Sequence, residues 1–340
     1  MPLMRAFVVT APGEAGVQQV PVPTAASGEV VVDVERVGVC GTDVEFFTGE
    51  MQYLHDGHSR YPLRLGHEWC GRVSALGPGV DDAWLGRRVT GDTMIGCGRC
   101  RRCRAGYQHV CADRQEVGIR GDRPGALAEQ LAVPASSLHA LPDAVDAALG
   151  ALVEPGGTAL RAARAAQVAS GERLLVLGPG TIGTLVALFA RAAGAQVHLV
   201  GVDPRSLAFA RGIGFDGVWT WEDLPEEPFH AVVDASTAAE LPARAVELVE
   251  PGRRVVYIGL AGTPSRLDTR QLVLKDVTAV GVLSASPGLG ETVAAYAGGV
   301  VDPRPLVAAL VGLDDVADVL AGRPPTGAGP GPKIHVDPRA

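Results

Sequence analysis

A short apolar run, Arg173-Leu174-Leu175-Val176-Leu177, feeds directly into Gly178-Pro179-Gly180-Thr181-Ile182-Gly183, and an Ala/Leu-rich stretch continues to Ala193. Strand, G-x-G-x-x-G and helix in this order constrain the fold of the segment tightly. The first glycine permits a sharp turn, the second lets a pyrophosphate approach the backbone, and the third lets helix and strand pack closely. The helix N-terminus then faces the phosphates, which makes Gly178, Gly180, Thr181, Ile182 and Gly183 a candidate dinucleotide cradle. A second strand over Gln196–Val202 ends at Asp203, twenty residues beyond Gly183. An acidic side chain there accepts bonds from the adenosine ribose hydroxyls and repels a 2′-phosphate, so NAD is favoured, while the nearby Arg205 keeps NADP open. Strand patterns at Ala231–Asp234, Arg254–Ile258 and Val277–Val282 alternate with helical stretches, which predicts a parallel sheet with helices on both faces.

At 340 residues the chain is long for a single core, and two domains are expected. Before the glycine motif the pattern changes. Residues 5–12 and 29–40 alternate or run apolar and are rich in Val, with Pro21, Pro23 and Gly28 as breaks. Further short strands are expected around Trp69–Ala75 and Arg87–Thr90, so residues 1–150 read as β-rich. A net charge of −8 argues against nucleic acid or an anionic membrane as partner. No apolar run spans a bilayer and no signal-peptide pattern opens the chain. Gly322–Pro332, rich in Gly and Pro, reads as a surface loop.

Six cysteines, four of them crowded between Cys97 and Cys111, point to metal ligation in a reducing cytoplasm and not to a disulfide framework. Cys97, Cys100, Cys103 and Cys111 have the spacing C-x2-C-x2-C-x7-C, and four thiolates from one short loop make a closed, structural zinc site. An iron–sulfur cluster is the competing reading, but the bacterial ferredoxin run ends in C-x3-C-P, which Val110-Cys111-Ala112 does not supply. Arg99, Arg101, Arg102 and Arg104 interleave with these cysteines and offset their charge.

A second metal is suggested by Cys40-Gly41-Thr42-Asp43 and Gly66-His67-Glu68. Thiolate, imidazole and carboxylate are ligands that Zn²⁺ takes, and three protein ligands leave a place open for chemistry. Read singly, Cys40 is as well explained as a small buried hydrophobe and His67-Glu68 as a surface turn. Asp43 is placed to receive the second N–H of His67, or else to bond its own turn. The long polar stretch 49–64, with His55 and His58, reads as a loop bordering a cleft. Cys70 reads as core. By spacing alone Glu154, just before Pro155, is an ordinary first-turn helix acid.

Taken together these motifs resemble the zinc-dependent medium-chain dehydrogenases, the superfamily of alcohol, sorbitol, threonine and glucose dehydrogenases. The resemblance covers nearly the whole chain: Cys40–Asp43, Gly66–Glu68, the four-cysteine lobe, Glu154-Pro155, the glycine motif and Asp203. It implies a mixed α/β and β-rich fold. A GroES-like zinc catalytic domain (1–150, with the lobe at 97–111) would be interrupted by a doubly wound Rossmann domain (151–285), with 286–340 returning to the first. It also implies two zinc ions per chain and a homodimer or homotetramer paired through the Rossmann sheet edge, with NAD, as read from Asp203, favoured over NADP. By the same resemblance Cys40, His67 and Glu154 are catalytic zinc ligands, Glu68 is a ligand in some members or states, and Thr42 relays the substrate proton. Glu154 and Glu45 lean toward the sugar and polyol branches, since alcohol and sorbitol enzymes commonly carry a His at the latter place to end the relay. The expected reaction is hydride transfer between NAD(P) and a secondary alcohol of a sugar, polyol or cyclitol. A simple alcohol or L-threonine dehydrogenase is the rival among enzymes. A nucleotide-binding sensor that has lost catalysis is the rival outside them, and the intact set of presumed ligands counts against it.

Overall fold

The computed structural model describes residues 2–340. In chain order, the first nine strands are β1 (Leu3–Ala11), β2 (Glu14–Pro21), β3 (Glu29–Gly38), β4 (Glu68–Leu76), β5 (Arg88–Gly91), β6 (Met94–Ile95), β7 (Gln115–Glu116), β8 (Gln130–Pro134) and β9 (Leu138–Ala140). The next six are β10 (Arg173–Leu177), β11 (Gln196–Val200), β12 (Gly217–Trp219), β13 (Phe229–Asp234), β14 (Val249–Tyr257) and β15 (Thr278–Gly281). The last two are β16 (Val307–Val311) and β17 (Lys333–Val336). The chain forms two compact units. One runs to Glu154 and resumes over Leu289–Gly329 and Lys333–Ala340, and the other comprises Pro155–Gly288 with Pro330–Pro332.

In the first unit a seven-stranded sheet runs β16-β17-β3-β4-β5-β9, with β8 also paired to β3. β-branched residues suit a pleated, half-buried surface, and the valines of β3 show the period of two: Val30, Val32 and Val34 are buried together in the main core. Phe7, Phe46, Leu65, Trp69, Leu127 and Leu131 complete that core. The C-terminal strand β17 lies antiparallel to β3, with His335 opposite Gly38. β6 and β7 form a separate two-stranded ladder at the base of the cysteine lobe.

The second unit is one six-stranded sheet in the order β12-β11-β10-β13-β14-β15, with every pair parallel. Numbered within the unit this is 3-2-1-4-5-6, the doubly wound order whose reversal lies between β10 and β13. Leu174–Leu177 of β10 are fully buried, as expected of a strand covered on both faces. At its end Gly178 takes φ +92°, a conformation that penalises any side chain. Gly183 sits where a Cβ would overlap the Gly178 carbonyl oxygen.

The structure departs from the sequence reading in places. Gly41-Thr42-Asp43, expected as a turn, opens the helix Gly41–Thr48. Asp43 occupies its third position and takes the Cys40 N–H at 2.9 Å, so a donor that the helix leaves unpaired is satisfied locally. Gly49, at φ +86°, ends it. The stretch 49–64 holds a short helix, Gln52–His55. β12 went unseen because three residues are too few to show a period. Among the described residues no helix is long and apolar enough to cross a membrane. Gly183→Ala is expected to lower the melting temperature and abolish NADH binding by fluorescence titration. Wild-type values in both would mean the turn does not need this close approach.

Candidate functional site

Strand register assembles the first site. In the β3–β4 pair Gly38 lies opposite Glu68. Cys40, two residues past Gly38, and His67, one before Glu68, are thereby drawn together. The ligand atoms of Cys40, His67 and Glu68 all lie within 4.8 Å of one another. His67 and Glu68 are buried and Cys40 is half-buried.

Asp43 braces this group. Its Oδ2 accepts the Cys40 N–H, and its Oδ1 accepts the Gly66 N–H at 3.3 Å. Oδ1 also stands 3.6 Å from His67 Nδ1, a charge contact longer than a hydrogen bond. Among the described residues Nδ1 has no hydrogen-bond partner. Burial disfavours a charged His67, yet Asp43 and Cys40 together hold its pKa well above the ordinary value. The pocket's field thus favours positive charge, which is what a bound dication supplies.

Glu68 meets Lys333 from β17, whose Nζ lies 2.9 and 2.7 Å from the two carboxylate oxygens and also donates to the Val39 carbonyl. Both side chains are almost fully buried. Burial works against the ammonium, but Glu68 more than offsets it and raises the Lys333 pKa. Glu154, in the first turn of the helix Val153–Ala165, is buried outside the 4.8 Å group. Desolvation pushes its carboxyl up to about 7, against the pull of His67 and with the push of Glu68 and Asp92, so it shares their field. Thr42 lies in the first turn of the Gly41–Thr48 helix, half-buried, and Glu45 follows one turn on. Burial, then the charge of Glu50, raises the Glu45 pKa.

The cysteine lobe has its own geometry. Sγ–Sγ separations are 3.5 Å for Cys100–Cys103, 3.8 Å for Cys100–Cys111 and 4.0 Å for Cys97–Cys103. A disulfide would need about 2.0 Å. Zn–S bonds of about 2.3 Å in a tetrahedron set sulfurs roughly 3.8 Å apart, so the four donors fit one zinc. Backbone N–H groups of Arg99 and Cys100 draw the Cys97 thiol down to about 6, toward the thiolate a metal needs. Arg114, just past the lobe, bonds Glu116 at 2.7 Å and the Tyr53 hydroxyl at 3.1 Å, tying the 49–64 stretch to β7. His55 and His58 of that stretch are exposed. His55 meets the Gly49 carbonyl, and His58 meets Arg120. Cys70 is buried and bonds the Ala147 carbonyl.

In the second unit Gly180 caps the helix Thr181–Ala192, and a Cβ there would project into open space, room that a pyrophosphate can use. Thr181 and Ile182 are half-buried in the first turn. Asp203 caps the helix Pro204–Ile213 by accepting the Ser206 N–H (2.8 Å) and hydroxyl (2.6 Å). Those bonds lower its pKa, and Arg205 beside it is exposed. The residues therefore fit both a zinc pair and a dinucleotide.

Sequence reasoning passed over Lys333. Its signal was a lysine inside the apolar strand Lys333-Ile334-His335-Val336, since a buried ammonium requires an acid. It also passed over Asp92 and Thr93, which precede the lobe without any motif. Lys333→Met should leave Glu68 buried and unpaired and cost ~3–5 kcal/mol by urea unfolding. A cost below about 1 kcal/mol, the surface-pair range, would show that the pair is not sealed from water.

Comparison with known proteins agrees with this geometry. Residues 26–143 match the alcohol dehydrogenase GroES-like domain, and residues 181–297 match the zinc-binding dehydrogenase model. The L-threonine 3-dehydrogenase of Rhizobium rhizogenes is 30% identical over 329 residues, which is 92% of this chain and 93% of that protein. A Sinorhizobium meliloti protein described as a zinc-binding dehydrogenase, solved bound to NADP, superposes with a TM-score of 0.88 at 27% identity, over 99% of this chain and 100% of that one. The alcohol dehydrogenase of Thermus sp. ATN1 has a TM-score of 0.89 at 25% identity, over 98% and 99% of the two chains. With a GroES-like domain, a Rossmann sheet and full-length relatives of this kind, the chain belongs to the zinc-dependent medium-chain dehydrogenases/reductases, NAD(P)-dependent enzymes acting on alcohols.

Proposed function

We propose that this dehydrogenase interconverts a secondary alcohol of a sugar, polyol or cyclitol and its carbonyl, with NAD as the working cofactor. The observation that carries the reading is the grouping of Cys40, His67 and Glu68 within 4.8 Å, with Glu154 buried in the same field. Cys40, His67 and Glu154 would hold the catalytic zinc, with Glu68 as the alternative carboxylate, and the four lobe cysteines would hold a structural one. When bound, the zinc supplies Lewis acidity toward a substrate oxygen and the nicotinamide supplies a hydride acceptor. Thr42 accepts the proton that the substrate hydroxyl gives up. Glu45, three residues along the same helix, faces the same side and takes the proton onward. Burial and then the charge of Glu50 raise its pKa above the ordinary carboxylate value, the direction that suits a proton acceptor. The ionised Asp203 would repel a 2′-phosphate and so favours NAD.

Carboxylates at 154 and 45 support the sugar and polyol side. One observation favours a second reading, an amino alcohol such as L-threonine: the Rhizobium rhizogenes relative carries that activity in its name. Six unpaired cysteines support a reducing cytoplasm. The edge strand β15, with Val273 and Leu274 exposed just before it, supports pairing of copies into a dimer or tetramer.

A panel of polyols, aldoses, cyclitols, short alcohols and L-threonine, each with NAD⁺ and NADP⁺ and followed by NADH or NADPH absorbance, tests the reading. Highest kcat/KM on a polyhydroxylated substrate with NAD⁺ is expected. Turnover confined to L-threonine would replace it, and metal-loaded, NADH-binding protein with no turnover would favour a sensor. On the best substrate, Glu45→Gln should lower kcat and remove a limb of the pH–rate profile lying above the ordinary carboxylate range. An unchanged profile takes Glu45 out of the proton path.

A further inference from the structure

The cysteine lobe reaches toward the first metal group through a chain of hydrogen bonds that no step above uses. Gln108 lies between Cys103 and Cys111, in the short 3₁₀ turn Gln108–Val110. Its carbonyl accepts the Cys111 N–H at 3.0 Å, so its backbone is fixed by the lobe itself. Its side chain leaves the lobe, and Nε2 donates to Asp92 Oδ2 at 3.0 Å. Asp92 is buried. Its Oδ1 accepts the Met94 N–H at 2.9 Å, and its own N–H donates to the Ser137 carbonyl at 2.8 Å. The next residue, Thr93, is buried and donates its hydroxyl to the backbone carbonyl of His67 at 3.3 Å. Thr93 is held from the other side by the Val117 N–H, at 3.0 Å to its carbonyl.

Nothing along this path is slack. β6 begins at Met94 and pairs with β7, Met94 opposite Glu116. Only Gly96 separates β6 from Cys97, and Gln108 packs so closely on Gly96 that a Cβ there would overlap it. One presumed ligand, His67, is thus tied through its backbone carbonyl to the Asp92-Thr93 segment. A side chain of the lobe is one of the groups that hold that segment.

We propose that Gln108 is a positioning residue for the catalytic metal site: by holding Asp92 it lets the closed cysteine lobe fix the Asp92-Thr93 segment, and through Thr93 the backbone of His67. The proposal rests on the reading of Cys40, His67 and Glu154 as ligands of one zinc. Partners behind metal ligands typically matter 10–100-fold for affinity, and Gln108 acts one step further back, so an effect at the low end, about tenfold, is expected.

The test uses the zinc holoenzyme and release of zinc to a chromogenic chelator. Wild type should release zinc in two phases, a faster one from the Cys40 and His67 site and a slower one from the four thiolates. Gln108→Ala removes the donor and the side chain beyond Cβ, keeping the Cα and Cβ that face Gly96, whereas Gln108→Met removes the donor and keeps the side chain's length. Both should speed the fast phase about tenfold, leave the slow phase in place, and shift the visible bands of the cobalt-substituted catalytic site. A fast phase unchanged in Gln108→Met overturns the proposal, whatever Gln108→Ala does, because lost side-chain volume beyond Cβ would then explain any effect. Loss of the slow phase in Gln108→Met also overturns it, assigning Gln108 to the lobe's own fold. A wild-type enzyme with a single slow phase would remove the catalytic site reading and the proposal together, and that result cannot be confused with the other two.

Discussion

A buried carboxylate is costly unless a positive group meets it, and this protein buries four in the neighbourhood of His67: Asp43, Glu68, Asp92 and Glu154. Cys40 adds a potential thiolate. Against them stands Lys333, which is consumed by Glu68 at 2.7 Å. Backbone N–H groups quiet Asp43, and Gln108 with the Met94 N–H quiets Asp92. What remains is a pocket in which Asp43 and Cys40 hold the imidazole's pKa high, while burial first, then Glu68 and Asp92, push the Glu154 carboxyl up to about 7. The first shift marks a pocket that favours positive charge, and the second shows how little water reaches Glu154. A zinc ion meets that demand at one point, and the family to which the chain belongs binds zinc.

The fold serves this arrangement through register. Because β3 and β4 pair with Gly38 opposite Glu68, Cys40 and His67 arrive together without any loop having to reach. Because β17 joins β3 from the far end of the chain, Lys333 is delivered to Glu68 across 265 residues of sequence. A slip of one residue in either pairing would turn those side chains to the opposite face. The precision of the site is therefore inherited from sheet hydrogen bonds, and the cysteine lobe adds a second anchor at Asp92 and Thr93.

Much of this was legible in the sequence for physical reasons. The glycine motif is readable because Gly178 and Gly183 answer local steric demands that few other residues meet. The four lobe cysteines are readable because a closed thiolate site fits within one short loop. Cys40 and His67 could be named as candidates, but their meeting depends on a strand pairing that spacing does not encode. Glu154 looked like a helix-start acid because its special property is burial, which is set by tertiary packing. Lys333 and Gln108 carry no motif at all. Each matters only through a partner far away in sequence, Glu68 in one case and Asp92 in the other.

The measurement that tests the account most directly is anomalous scattering at the zinc edge from crystals of the zinc-loaded protein. Two peaks per chain are predicted, one enclosed by Cys97, Cys100, Cys103 and Cys111, and one bonded to Cys40 Sγ, a His67 ring nitrogen and a carboxylate of Glu154 or Glu68. A peak at the four cysteines with none between Cys40 and His67 would contradict the account.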